Sequence, residues 1–135
     1  MPGEADIALA RQWVAKARND LLSADNNLAP HEIPFDTVCF HCQQAAEKLL
    51  QAFLVAHAVP YPVTHDLMLL LEHVLPLNQG AEALRDALAL LMPYAVEVRY
   101  PDDWHEPSLD DAREVRAAAG QVLDWVHQAM PEVFR

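Results

Sequence analysis

Apolar residues recur at intervals of three and four along several long segments of this chain, and prolines separate those segments. Such spacing places apolar side chains on one face of an α-helix. Proline ends helices because it lacks a backbone N–H and pushes the preceding residue away from helical angles. Only three glycines occur in 135 residues, which is typical of helices rather than of turn-rich sheets. The pattern predicts an all-α fold, an up-and-down bundle of four main helices plus one short helix.

The prolines separate the predicted helices. The long helices cover about residues 5–28, 36–58, 81–98 and 109–129, and the short helix lies between Thr64 and Pro76. Pro93 falls inside the fourth helix, so we expect an interruption near Met92. Side-chain caps are predicted at Asp36 or Thr37, at Thr64, and at Ser108 with Asp111 in a capping box.

Length and charge restrict the classes of function. The chain of 135 residues, 53% of them hydrophobic, suffices for one core, so we expect residues 1–135 to form a single domain. Nine Lys and Arg against 20 Asp and Glu give a formal net charge of −11, which repels phosphate backbones and disfavours sequence-specific DNA binding. A small anion or RNA requires local convergence of the few basic side chains. A basic partner protein would also suit the acidic surface.

The sequence has no pattern typical of a signal peptide, a membrane span or a complete zinc site. The N-terminal residues 1–6 carry acids without a following apolar run, and no segment approaches the length of a membrane span, so we predict a cytoplasmic protein without membrane association. Cys39 and Cys42 form a Cys-x-x-Cys pair, which elsewhere marks a redox pair or half a zinc site. No second cysteine pair exists here, so we predict buried, inert thiols, no metal site and no cofactor.

Four short strings occur in a fixed order: residues 17–21 (ARNDL), 39–48 (CFHCQQAAEK), 64–67 (THDL) and 99–101 (RYP). In that order and at those separations they resemble the small stand-alone HEPN proteins of bacteria and archaea, over about residues 5–130. The resemblance implies a helical bundle that dimerises. It also implies a minimal nucleotidyltransferase partner encoded beside it in a toxin–antitoxin-like pair, and in some members a metal-independent ribonuclease activity.

The ribonucleases of this family use an arginine followed after four to six residues by a histidine, and Arg99 and His105 satisfy that spacing. Histidine can move a proton near neutral pH, and arginine can hold a scissile phosphate. These two residues are therefore the candidate catalytic pair. The alternative is that His105 is a solvated loop residue beside Trp104, while Arg99 pairs with Asp102 or Asp103.

A polar strip on the second helix is the candidate nucleotide or RNA site. His41, Gln44, Lys48 and Gln51 follow one another at helical spacing. In the binding interpretation the strip faces a groove formed with Thr64, His65 and Asp66, where Lys48 and His65 hold phosphate and Gln44 bonds a base, with Tyr100 at the rim. In the alternative interpretation Lys48 is solvated, and His65 and Asp66 only begin a helix.

Three functions remain open from the sequence. The first is a dimeric nucleotide- or RNA-associated interaction module that acts with a nucleotidyltransferase partner. The second is a metal-independent endoribonuclease that uses Arg99 and His105, and the third is a structural subunit without a ligand. Tryptophans at 13, 104 and 125 are expected to anchor the core or an interface rather than to stack on bases.

Overall fold

The computed structural model describes residues 3–96 and 106–135. Five α-helices occur there: α1 (Glu4–Leu28), α2 (Phe35–Ala56), α3 (Leu67–Val74), α4 (Arg85–Leu91) and α5 (Leu109–Ala129). Three 3-10 segments accompany them, Gln79–Leu84, Met92–Tyr94 and Pro131–Phe134. No strand occurs in the described ranges. The predicted all-α class is confirmed.

The helix α2 lies at the centre of the bundle, with 15 of its 22 residues buried. α1 packs antiparallel to α2, since Asp20 near the end of α1 contacts both His41 and Lys48 in the first two-thirds of α2. α1 is also antiparallel to α5, since Asp25 bonds Arg116 while Arg11 bonds the carbonyl of Glu132. α1 therefore runs between two neighbours that cover its two sides.

The predicted apolar stripes form the core. The buried members of the α1 stripe are Ala10, Val14, Ala17 and Leu21, and Ile7 and Leu28 pack partly buried against them. On α5 the buried stripe is Val115, Ala119, Val122 and Val126, continued by Met130. Periodicity alone therefore identified the faces on which these helices pack.

The fourth helix is shorter than predicted. The side-chain oxygen of Asn78 accepts a hydrogen bond from the backbone N–H of Gly80, and a 3-10 turn occupies Gln79–Leu84 before α4 begins at Arg85. α4 ends at Leu91, one residue before the 3-10 turn that contains Pro93. The interruption predicted at Pro93 is confirmed, whereas the α-helical start at residue 81 was wrong because a local side-chain bond favours the tighter turn.

Two of the predicted caps were wrong and one is confirmed. α3 is capped by Asp66, whose carboxylate accepts from the N–H groups of Met68 and Leu69, while the Thr64 hydroxyl accepts from the N–H of Asp66. Pro34 occupies the N-cap position of α2, so neither Asp36 nor Thr37 does, although the Asp36 carboxylate accepts from the N–H of Thr37 in the first turn. Ser108 and Asp111 form the expected capping box of α5. A cap depends on where the chain turns, which nearby oxygens alone do not determine.

The cysteines and the described tryptophans lie in or against the core. Cys39 and Cys42 are buried free thiols, and burial raises the pKa of each to about 12, as expected for inert thiols. The ring of Trp125 lies 5.3 Å from that of Phe53, and Trp13 packs partly buried against the core. Trp104 lies outside the described residues.

Candidate functional site

A buried carboxylate on α1 contacts a lysine and a histidine of α2. Asp20 is only 8% exposed, and its two oxygens lie 2.6 Å from Nζ of Lys48 and 3.0 Å from Nδ1 of His41. A buried carboxylate is costly unless it is paired and hydrogen-bonded, and these two bonds meet that requirement. The positive charge of Lys48 is therefore largely balanced by Asp20 rather than left for a ligand.

A second polar row on α2 holds the connection between α2 and α3. Gln43, Glu47 and Gln51 follow at intervals of four, so they share one side of the helix, and all three are buried. Nε2 of Gln43 donates to the carbonyl of His65, and Nε2 of Gln51 donates to that of Pro62. Oε1 of Glu47 lies 2.6 Å from Nδ1 of His65. These bonds fix residues 62–65 against α2.

Beside this row lies a cavity of about 220 Å³, which we call the Gln51 cavity. Its walls are Trp13 of α1, Glu47 and Gln51 of α2, and Tyr61, Val63, Thr64 and His65 of the connection. Oε1 of Gln51 is buried and has no hydrogen-bond partner among the described residues. The cavity thus combines aromatic walls with a carboxylate and an unsatisfied acceptor.

A second cavity of about 380 Å³, the arginine cavity, lies between α1 and the C-terminal segment. Arg11, Arg18 and Arg135 line it together with Asn19 and Phe134. Nε and Nη2 of Arg11 donate to the carbonyl of Glu132 at 3.2 and 2.9 Å, and the Arg18 guanidinium lies 5.1 Å from the centroid of the Phe134 ring. Neither partner is an acid, so both arginines keep their net charge and further N–H donors.

Two other described arginines, Arg116 and Arg85, are each paired with an acid. Arg116 contacts both carboxylate oxygens of Asp25 at 2.7 and 3.1 Å, and that hydrogen-bonded pairing raises the pKa of Arg116. Arg85 is similarly paired with Glu82 through two contacts. The arginine cavity differs, because the carbonyl and the ring that Arg11 and Arg18 contact carry no negative charge.

The predicted binding residues fall into two groups. His41 and Lys48 meet at Asp20, whereas Thr64 and His65 line the Gln51 cavity. Gln44 lies between them, donating to Oε1 of Gln43 at 2.7 Å.

The predicted binding residues contact other groups of the protein. Lys48 and His65, which were expected to hold phosphate, contact two different carboxylates, Asp20 and Glu47. Asp66 and Thr64 shape the start of α3. Arg99, Tyr100 and His105 lie outside the described residues, so their predicted roles stay predictions.

Several side chains of the candidate sites were not identified from the sequence. Asp20 occupies a position that the spacing of the α1 apolar stripe assigns to its edge, and an acid at such a position was a signal for a buried ion pair. Arg11 and Arg18 stand seven residues apart, which places them on one side of α1. The participation of Arg135 carried no local signal.

Two further expectations concern metals and membranes. Within residues 3–96 and 106–135, no group of three or more histidine, cysteine or acidic side chains is arranged to hold a metal ion. In the same ranges none of the helices is long and apolar enough to cross a membrane.

Comparison with known proteins gives a family and a related structure. The family model described as HEPN domain matches residues 10–129. The crystal structure of an archaeal HEPN homologue superposes with a TM-score of 0.71 at 23% identity, covering 90% of this chain and 97% of that one. No curated protein is significantly similar in sequence.

Proposed function

Because the chain belongs to the HEPN domain family, we propose that it is a dimeric nucleotide- or RNA-associated interaction module that acts in the cytoplasm with a partner protein. The partner class is the minimal nucleotidyltransferase, in a toxin–antitoxin-like pair. The observation that supports the proposal is the arginine cavity, where Arg11, Arg18 and Arg135 converge in a chain of net charge −11. Arginine matches phosphate oxygens with paired N–H donors, which suits this cavity to a phosphate group.

The predicted polar strip is the second part of this proposal. His41, Gln44 and Lys48 lie on one side of α2, and Thr64, His65 and Asp66 form a second group at the start of α3. Since Asp20 balances Lys48, the strip is better suited to hydrogen bonds with a base or a partner than to holding phosphate. Tyr100 is proposed at the rim of the same surface.

The test is binding of ATP and of a short single-stranded RNA, measured by fluorescence anisotropy at several salt concentrations. We expect the double variant Arg11→Gln/Arg18→Gln to bind about tenfold more weakly, with a salt slope smaller by about one for each phosphate that the variant no longer neutralises. Arg113→Gln is the matched control, since Arg113 is an exposed α5 residue that does not line the cavity. Lys48→Gln reports on the strip separately.

Three results would contradict the proposal. They are an absence of binding by the wild type, an equal weakening in the Arg113→Gln control, and a monomer by light scattering. A dimer has twice the chain mass of 15.1 kDa. Co-expression with a minimal nucleotidyltransferase, the proposed partner, should yield a complex that survives gel filtration.

A second function rests on the sequence spacing of Arg99 and His105, which is that of the metal-independent ribonucleases of the family. The proposal is that these residues cleave RNA and leave a cyclic phosphate. Purified protein in chelator should then cleave RNA, and Arg99→Ala and His105→Ala should each abolish cleavage while the exposed control His31→Ala retains it. Wild-type protein that leaves RNA intact rules out this function.

A further inference from the structure

The Gln51 cavity contains a buried acceptor that the described residues leave unsatisfied. Gln51 is 3% exposed, its Nε2 donates to the carbonyl of Pro62 at 3.1 Å, and its Oε1 has no partner among the described residues. Rotating the amide would bring two oxygens together at Pro62, so the bond fixes which atom remains unpaired. A group that reaches Oε1 of Gln51 must therefore donate a hydrogen bond.

The charge of the cavity walls restricts which ligands can bind there. Glu47 lines the cavity with a carboxylate whose side chain is 11% exposed, and none of the described lysines or arginines lines it. His65 contacts one Glu47 oxygen but is itself 69% exposed, so water screens the contact. An anionic ligand is thus disfavoured, and a cation is favoured by both the local carboxylate and the net charge of −11.

The aromatic walls of the cavity favour a planar ligand. Trp13 and Tyr61 are both half-buried wall residues, and Val63 projects almost fully exposed at the rim. Aromatic faces attract cations, and a planar guanidinium stacks on them better than a compact ammonium does. A guanidinium also carries five N–H donors in one plane, enough to reach Gln51 and Glu47 together.

We propose that the Gln51 cavity is a binding site for a guanidinium group, which donates N–H bonds to Oε1 of Gln51 and to the Glu47 carboxylate while it packs on Trp13 or Tyr61. The guanidinium comes either from an arginine side chain of a partner protein or from a free small molecule. This site is separate from the arginine cavity and does not depend on the proposed nucleotide association.

Titration of wild-type protein tests the site directly by NMR, with the side-chain amide signals of Gln51 as the probe. Blocked arginine represents a protein side chain, agmatine represents a small molecule, and blocked lysine and blocked citrulline are the controls for planarity and charge. We expect saturable shifts of the Gln51 amide signals with the guanidinium compounds. Binding should be on the order of tenfold weaker for lysine and citrulline, as for loss of a charge-assisted hydrogen bond.

Three variants locate the binding groups. Glu47→Gln should weaken guanidinium binding on the order of tenfold or more, and Gln51→Met about fivefold, in line with removing a charged and a neutral acceptor. Gln121→Met is the control, because Gln121 is an exposed residue of α5 that does not line the cavity. Binding by this control should stay within about twofold of wild type, less than the effect of one hydrogen bond.

Each outcome decides the proposal. Saturable binding by agmatine alone supports the site with a small molecule as its ligand, and binding by blocked arginine alone supports it with a protein side chain as its ligand. Binding by both compounds supports the site for either source. Absence of Gln51 shifts at ligand concentrations up to about 10 mM, which corresponds to a free energy of binding too small for a specific site, means that the cavity holds only solvent and overturns the proposal. Equal binding of citrulline, or equal weakening by Gln121→Met and Gln51→Met, also overturns it.

Discussion

The two sides of α1 differ in the charge that they offer to a ligand. One side carries Arg11 and Arg18, and the other carries Trp13 and Asp20, each pair being seven residues apart. A helix turns by about 100° per residue, so the two pairs flank the buried stripe of α1 in opposite directions. The arginines meet the C-terminal segment at the arginine cavity, whereas Trp13 and Asp20 meet α2.

The charge that is available to a ligand depends more on the partners of the charged residues than on the number of those residues. His41 and Lys48 lie on the α2 side of α1, but one buried carboxylate satisfies them both. Arg11 and Arg18 contact a carbonyl and an aromatic ring, which do not neutralise them. The side that was predicted to hold phosphate therefore has a carboxylate, Glu47, at its cavity. The opposite side has the arginines whose charge is not balanced by an acid.

The largest effect is expected at Asp20. Asp20→Ala leaves Lys48 and His41, both 25% exposed in their side chains, without their shared carboxylate, and should lower the free energy of unfolding by about 3 kcal/mol. Asp25→Ala on the other side breaks a more exposed pair with Arg116 and should cost about 1 kcal/mol or less. Urea denaturation measures both, and equal losses would remove the distinction between the two sides.

The polar row should show the next largest difference. Gln43→Met leaves the His65 carbonyl and the Gln44 amide without their partner, so we expect a decrease in stability of about 1–2 kcal/mol. Gln51→Met gives up one bond to Pro62 but removes an unsatisfied buried oxygen, so its stability should change by less than about 1 kcal/mol. Thermal unfolding checks the pair, and a larger decrease for Gln51→Met would show that its oxygen is satisfied.

The start of α3 offers a smaller effect beside the Gln51 cavity. Asp66→Ala removes the cap that accepts from two backbone N–H groups and should cost about 1 kcal/mol. Thr64→Ala removes one exposed bond to the N–H of Asp66 and should cost about 0.5 kcal/mol. Chemical denaturation of the two variants orders them, and the reverse order would restore Thr64 as the cap.

The smallest effect is expected in the arginine cavity. Arg18→Gln removes a guanidinium from the exposed face of the Phe134 ring and should cost about 0.5 kcal/mol. Arg113→Gln, an exposed residue on α5, serves as the control and should be neutral within about 0.5 kcal/mol. A decrease in stability above that range for Arg18→Gln would indicate that the arginine serves the fold rather than a ligand.

The sequence predicted the core and the order of helices because both depend on local patterns. The stripe from Ala10 to Leu21 and the break at Pro93 follow from helical spacing and from the missing N–H of proline. The early 3-10 turn at Asn78 and the cap at Asp66 depend instead on which of several nearby oxygens reaches a backbone N–H, and short-range composition does not decide that.

The candidate sites were less predictable because they join distant parts of the chain. Lys48 was singled out as part of a polar strip, but its partner Asp20 lies 28 residues earlier on another helix. Arg135 lines the same cavity as Arg11 because the C-terminal segment packs on α1. The amide nitrogen of Gln51 donates to the carbonyl of Pro62, which leaves the amide oxygen without a partner among the described residues. No sequence pattern predicts this arrangement.

The most direct test of opposite ligand preference on the two sides of α1 is one NMR experiment on the wild-type protein. ATP and agmatine are titrated separately while the Arg11 and Arg18 Nε–H signals and the Gln51 side-chain amide signals are followed. ATP should shift the arginine signals alone, and agmatine should shift the Gln51 signals alone. Shifts of the same signals by both compounds, or of neither set, would contradict the assignment of one anionic and one cationic site to this helix.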